Sequence, residues 1–73
     1  MNAITVVVNG KPVKLAGPTP LLDYIDGLGV NRKAIAVEVN GEILAREDYP
    51  GCTLKERDRV EIVRMVGGGG TDL

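Results

Sequence analysis

The first part of the chain alternates apolar and polar side chains in two short segments. In residues 4–9 the positions on one face are Ile or Val, which is typical of a strand with a buried side. Asn9-Gly10 then supplies the two positive-φ positions of a type I′ turn, and residues 11–15 resume the alternation. We therefore predict an N-terminal β-hairpin. Its second strand should lie at a sheet edge, because Pro12 has no N–H to donate to a further strand.

A helical pattern follows the hairpin. One apolar stripe at helical spacing is formed by Leu21, Leu22, Ile25 and Leu28. Thr19 is the predicted N-cap, with Pro20 at the first helical position, and Gly27 and Gly29 end the helix. Because a helix of two or three turns is not stable alone in water, we expect it to pack across a sheet.

Strand alternation returns in the second half of the chain. Residues 34–39 predict a third strand, Asn40-Gly41 repeats the turn chemistry of the first hairpin, and residues 42–45 predict a short fourth strand. Residues 46–51 are polar and predict a loop with one turn of tight helix. Leu54, which follows this loop, is expected to enter the core.

The last predicted strand, residues 59–66, is apolar on both faces. Val60 and Ile62 share one face, and Val63 and Met65 share the other. Such a strand either lies in the centre of the sheet or presents its outer face as a docking surface, and both can hold.

The order of these elements is two strands, one helix and three strands, which predicts an α+β protein of the β-grasp class. We expect a mixed sheet of four to five strands packed on one main helix. Residues 1–66 are assigned to this domain, and residues 67–73 are assigned to a flexible glycine-rich tail.

Composition narrows the possible functions. The 73 residues carry nine basic and ten acidic side chains, two Tyr, no Phe, no Trp, no His, and Cys52 as the single cysteine. This balance gives no basic patch or stacking surface for nucleic acid, and no apolar run approaches the roughly 20 residues that cross a membrane. We predict no catalytic residue and no metal ligand set, and we expect a binding or carrier module in the reducing cytoplasm.

The tail offers specific chemistry. Four consecutive glycines, Gly67, Gly68, Gly69 and Gly70, follow the last strand. A backbone without side chains can enter a narrow channel and present its terminal carboxylate to a nucleotide without a clash from Cβ. The alternative is that these glycines are merely disordered or derived from a vector.

Three segments resemble the ubiquitin-like sulfur carriers, and among them the ThiS family. The resemblance is carried by VNGK at residues 8–11, by AIAVEVNGEIL at residues 34–44 with Arg46 just after, and by DRVEIVRMVGGG at residues 58–69. The last segment is the most specific. The sister family MoaD is a poorer match, because its members tend to be longer and have a proline near the terminal glycines.

The resemblance implies a ubiquitin-like fold and a mechanism. A ubiquitin-activating-type adenylyltransferase, similar to ThiF or MoeB, would use ATP to adenylate the terminal glycine, with Gly69 and Gly70 as the candidates. Sulfur from a cysteine persulfide donor would replace AMP, and the resulting thiocarboxylate would donate sulfur to thiazole synthase or another acceptor. No cofactor would be bound stably by the carrier itself.

The chain departs from this family pattern in two places. Thr71-Asp72-Leu73 follows the glycines, which leaves three interpretations: a natural segment removed by a metalloprotease, a remnant of cloning, or loss of the carrier function. Natural trimming is the one we favour. Arg57 stands before Asp58, where related sequences often have a glycine.

Partner docking is assigned to Ile43, Val63, Arg64 and Met65. Adaptable Met and apolar Val suit an interface, and the alternative is that a loop or the tail covers Val63 and Met65. Cys52 is interpreted as a small apolar residue rather than as a persulfide site.

Two alternatives to a thiazole carrier remain open. One is a carrier for cysteine, homocysteine or methionine synthesis after trimming of the tail. The other is a β-grasp module that binds partners without covalent chemistry.

Overall fold

One five-stranded mixed sheet, one helix and a small two-stranded sheet make up the fold. The structure is a computed structural model that describes residues 2–65. In chain order the elements are β1 Ile4–Val8, β2 Lys11–Leu15, β3 Thr19–Pro20, α1 Leu21–Leu28, a 3-10 helix Arg32–Ala34, β4 Ile35–Val39, β5 Glu42–Ile43, a second 3-10 helix Arg46–Gly51, β6 Thr53–Leu54 and β7 Arg59–Arg64. The predicted tail, residues 67–73, lies outside the described part.

The strands of the main sheet lie in the order β2-β1-β7-β4-β5. Strands β1 and β7 are parallel, and the other neighbours are antiparallel. The predicted mixed sheet on one main helix is therefore confirmed. The last strand is the central one of the five, and among the described residues only its helix-facing side is covered: Val60 is buried, whereas Val63 and Met65 on the other face are exposed.

Both Asn-Gly pairs make the predicted turns. Asn9 and Gly10 have φ of 50° and 83°, and Asn40 and Gly41 have φ of 53° and 89°. Two successive positive φ values define the type I′ turn, whose twist matches that of the strands it joins.

The core lies between the sheet and α1. The helix buries Leu21 and Ile25 against the inner sheet face, and Leu54 is completely buried, as predicted. The remaining buried apolar residues are Ile4, Val6, Ile35, Val37, Tyr49 and Val60. Full burial of one such side chain contributes about 1.5–3 kcal/mol, so these contacts hold a helix that is too short to persist alone.

The predicted start of the helix is wrong. Pro20 occupies the N-cap position, no side chain caps the helix, and the Thr19 hydroxyl donates to the Gly17 carbonyl at 2.8 Å. Thr19 and Pro20 instead form β3, which pairs with β6, and the Leu21 N–H donates to the Cys52 carbonyl at 2.9 Å. A backbone carbonyl from a distant segment thus satisfies one of the N–H groups that the first turn of the helix leaves free.

The helix ends before Gly29, as predicted, and Gly29 has a left-handed conformation. Gly27, which was also predicted to end the helix, lies inside α1, and Leu28, the last residue of the predicted stripe, is 46% exposed. One strand boundary also differs from the predictions. The fourth strand is only Glu42–Ile43, shorter than residues 42–45, because Leu44 turns inward toward the core. The predicted tight helix is present as the second 3-10 helix.

Candidate functional site

The end of β7 is the point from which the glycine segment continues. The Met65 N–H donates to the Ala34 carbonyl at 2.7 Å, one residue beyond the pairing of Arg64 with Ile35. The central strand is therefore held up to the last described residue. The predicted thiocarboxylate candidates Gly69 and Gly70, and the tail residues Gly67 and Gly68, lie outside the described part.

Asn9 extends the sheet beside β7 beyond the end of β1. The backbone pairing of β1 with β7 covers only Val7 with Arg59 and Val8 with Val60. Beyond this pairing, the Asn9 side chain supplies the hydrogen bonds to β7. The Ile62 N–H donates to its Oδ1 at 2.8 Å, and its Nδ2 donates to the Ile62 carbonyl at 3.2 Å. A side-chain amide here copies the donor and acceptor of one more strand residue.

Asn40 holds the start of β7 from the opposite flank, with one bond to the backbone and one to a side chain. Its Oδ1 accepts from the Arg59 N–H at 2.9 Å, and its Nδ2 donates to the Asp58 carboxylate at 3.0 Å. Asp58 is buried and also accepts from the Lys55 N–H at 2.8 Å. Sequence reasoning used both asparagines only as turn formers and missed that they clamp the central strand.

An exposed apolar surface lies on the sheet face opposite α1. We define the outer patch as Ala36, Ile43, Val63 and Met65, which share this face by strand alternation and register. Ile43 is 77% exposed, Val63 57% and Met65 45%. Three of the four residues predicted for partner docking are thus brought together, and one of them, Met65, is the last described residue.

Arg64 does not belong to this group. It follows Val63 on β7 and pairs with buried Ile35, so it points to the helix side of the sheet. There it lines a groove with Tyr24 and Ile62. The assignment of Arg64 to the same docking surface is therefore corrected, because successive strand residues face opposite sides.

Two carboxylates that the sequence analysis did not select border the outer patch. Glu38 and Glu61 line a shallow groove together with Ala36, Ile43 and Val63. Glu38 pairs with Ile43 on one side and with Glu61 on the other. The apolar surface therefore ends in a negatively charged site.

Comparison with known proteins identifies the family of this chain. The model of the ThiS family matches residues 6–69. The chain belongs to the ThiS family. Its relatives include the sulfur carrier protein ThiS of Bacillus subtilis, which is 40% identical over 63 residues that cover 85% of this chain and 96% of that protein.

A solved structure and a larger protein are also similar. The crystal structure of the thiamine biosynthesis protein ThiS from Geobacter metallireducens has a TM-score of 0.78 and 35% identity, and the match covers 90% of this chain and all of that one. A thiazole synthase of Magnetococcus marinus is 36% identical over 62 residues, which are 85% of this chain but only 19% of that protein. The resemblance noted in the sequence and the ubiquitin-like fold are thereby confirmed.

Members of the ThiS family are small sulfur carriers, so the chain is a carrier protein rather than an enzyme. Among residues 2–65, no three His, Cys, Asp or Glu side chains are grouped as a metal site would require. No helix in this described part of the chain has the length and apolar character needed to cross a membrane.

Cys52 is poorly suited to sulfur chemistry. Burial raises the pKa of its thiol, the Asp58 carboxylate raises this pKa further, and Lys55 offsets only part of the effect. Since the thiolate is the reactive form, the protonated thiol is a weak nucleophile near neutral pH. The position supports the interpretation of Cys52 as a packing residue, and it lies partly buried against the core.

Proposed function

We propose that this carrier transports sulfur as a thiocarboxylate on its C-terminal glycine. The observation that carries the proposal is the position of the four glycines, which begin two residues after the anchored end of the central strand in a chain of the ThiS family. A rigid sheet would then present a peptide without side chains to an active site. Such a peptide enters a narrow channel without steric conflict.

The chemistry takes place in two steps. The terminal carboxylate attacks the α-phosphate of ATP in the active site of a ubiquitin-activating-type adenylyltransferase, and pyrophosphate leaves. A thiol attacks the inner sulfur of a cysteine persulfide, forms a disulfide with it and releases hydrosulfide, which attacks the acyl carbon of the adenylate and displaces AMP. The adenylate is needed because a free carboxylate is a poor electrophile. The carrier binds no cofactor stably, and ATP is used by the activating enzyme.

The acceptor is proposed to be thiazole synthase, in thiamine biosynthesis. The similarity to 62 residues of a thiazole synthase supports this, because that protein contains a segment like this chain. We propose the cytoplasm as the compartment. The single cysteine cannot form an internal disulfide, and a free thiol is typical of proteins in a reducing compartment.

Removal of Thr71-Asp72-Leu73 is proposed to precede activation. A terminal leucine would bring a bulky side chain into a channel that suits glycine. The family model matches through residue 69, which supports Gly69 as the mature terminus, and Gly70 is the other candidate. A metalloprotease is the proposed trimming enzyme.

The outer patch is proposed to dock the activating enzyme and the acceptor in turn. Its three large side chains are 45–77% exposed, and apolar surface of this kind next to a functional tail marks an interaction site. Burial of one such side chain in an interface contributes about 1.5–3 kcal/mol of apolar transfer free energy.

The test is adenylation of chains with defined ends. Chains that terminate at Gly69, at Gly70 and at Leu73 are incubated with the adenylyltransferase of the same organism, ATP and labelled pyrophosphate. Exchange of label into ATP is expected only for the chain with the mature glycine terminus, and substitution of that glycine by alanine should abolish it. Equal exchange in all three chains, or no exchange in any, would contradict the proposal.

A further inference from the structure

Glu38 on β4 and Glu61 on the neighbouring central strand β7 lie directly opposite each other. They are register partners in the antiparallel pairing of β4 with β7. The Cβ atoms of such partners lie about 4.5–5.5 Å apart, and like charges placed directly opposite destabilise a sheet. The pair therefore lowers the stability of the folded domain. Because it lies on a solvent-exposed face, we interpret it as a binding feature for another molecule.

Neither carboxylate has a cation to balance it within the described residues. The ion pairs among residues 2–65 are Arg32 with Asp26 and Arg57 with Glu56. Arg59 shares the outer face and lies two residues before Glu61, but it forms no ion pair within 4 Å in this part of the chain. The two charges are therefore available to a partner.

The other residues that line the groove of the two carboxylates are apolar. Ala36, Ile43 and Val63 line the same groove, so a partner seated here would exclude water from the charges. Exclusion of water strengthens the attraction for an opposite charge, and it makes a neutral or acidic partner group costly to bury.

We propose that the outer patch receives a protein segment that presents one arginine flanked by apolar side chains, with its guanidinium between Glu38 and Glu61. This inference rests on the proposed use of the patch for docking. Arginine fits better than lysine because its planar group has five donors and can bind two carboxylates at once. The apolar neighbours of the arginine would cover Ile43 and Val63.

This site also fixes the direction of the partner. Glu61 and Met65 share one face of the chain four residues apart, a distance of about 13 Å along a strand. The acidic site thus lies toward one end of the outer patch, and Met65, the last described residue, lies at the other end. A partner held at both ends receives the tail in one orientation only.

The experiment compares single and double neutralisation. The variants E38Q, E61Q and E38Q/E61Q keep side-chain size and remove charge, and E47Q is the matched control on the exposed second 3-10 helix. Dissociation constants for the adenylyltransferase and the thiazole synthase of the same organism are measured by calorimetry at low and high salt. Thermal unfolding is followed in parallel, and the double variant should be at least as stable as the parent because the repulsion is removed.

We expect the double variant to bind at least one of the two partners about tenfold more weakly at low salt, and to lose most of the salt dependence, while E47Q binds as the parent does. If the double variant binds both partners as the parent does, the inference is overturned.

The variant V63S separates this inference from the proposed function. If V63S weakens binding and the double neutralisation does not, the outer patch docks partners without an arginine, and only the present inference fails. If V63S and the double neutralisation both leave binding unchanged, docking through this face fails as well.

Discussion

At the scale of single residues, the conformation of Arg57 stands out. Its φ is 71°, at the third position of a turn in which the Asp58 N–H donates to the Lys55 carbonyl at 3.0 Å. This is the position of a type II turn that favours glycine. A residue with a Cβ at this position lowers the folding stability by roughly 1–2 kcal/mol. Arg57, which stands where related sequences often have a glycine, therefore has a strained backbone conformation. Its side chain is 90% exposed and its ion pair with Glu56 is long, at 3.9 Å.

We predict that R57G stabilises the fold by about 0.5–1 kcal/mol, since relief of the strained φ exceeds the added flexibility of glycine in the unfolded chain. Thermal unfolding should shift upward by several degrees, about 4–8 °C per kcal/mol for a domain of this size. The control R57A removes the same side chain and keeps the Cβ, so it should give no gain. A decrease in stability for R57G would show that the guanidinium, not the backbone, matters at this position.

At the scale of elements, the two asparagine clamps decide how firmly β7 is held. N9D tests the first of them with a nearly isosteric change. A carboxylate still accepts from the Ile62 N–H but cannot donate to the Ile62 carbonyl, which it would face with negative charge. We predict a loss of about 1–3 kcal/mol at neutral pH.

The pH dependence of this loss has a definite sign. The Ile62 N–H favours the charged form, but the Ile62 carbonyl places negative charge against the other carboxylate oxygen and displaces water from it. We expect the carbonyl to outweigh the N–H and to raise the pKa of the introduced carboxyl group above its value in the unfolded chain. The deficit should therefore be present at neutral pH and shrink as the pH falls through that raised pKa, because the protonated acid can donate. Urea unfolding at several pH values measures this, with N2D at the exposed second residue as the control for the charge change. A deficit that is independent of pH would contradict the role of the Asn9 donor.

At the scale of the whole molecule, the fold could be predicted from the sequence because its turns and strands are encoded by short, local residue patterns. Asn9-Gly10 and Asn40-Gly41 predict the two hairpin turns, and the alternation in residues 4–8 and 35–39 predicts the strands that precede these turns. Pairings between distant segments were not readable. Strand β3 forms only because β6 lies beside it, and this pairing took the place of the Thr19 cap.

The candidate site was readable in part for the same reason. Ile43, Val63 and Met65 stand out as apolar residues on short strands, but the cross-strand partners Glu38 and Glu61 require the register of β4 against β7. Likewise, the bond of Asn9 to Ile62 spans 53 residues. Arg64 was grouped with Val63 and Met65 for docking, although the alternation along β7 places it on the face opposite to that of Val63.

The central claim is that the C-terminal glycine carries sulfur, and the most direct test is the intact mass of the chain recovered without tags from its own organism. We predict that Thr71-Asp72-Leu73 is absent and that a fraction of the protein carries the mass increment of sulfur replacing oxygen on the terminal carboxylate. Alkylation with iodoacetamide should then label that fraction at Gly69 or Gly70. A full-length chain that remains unmodified during growth under demand for thiamine would contradict the account.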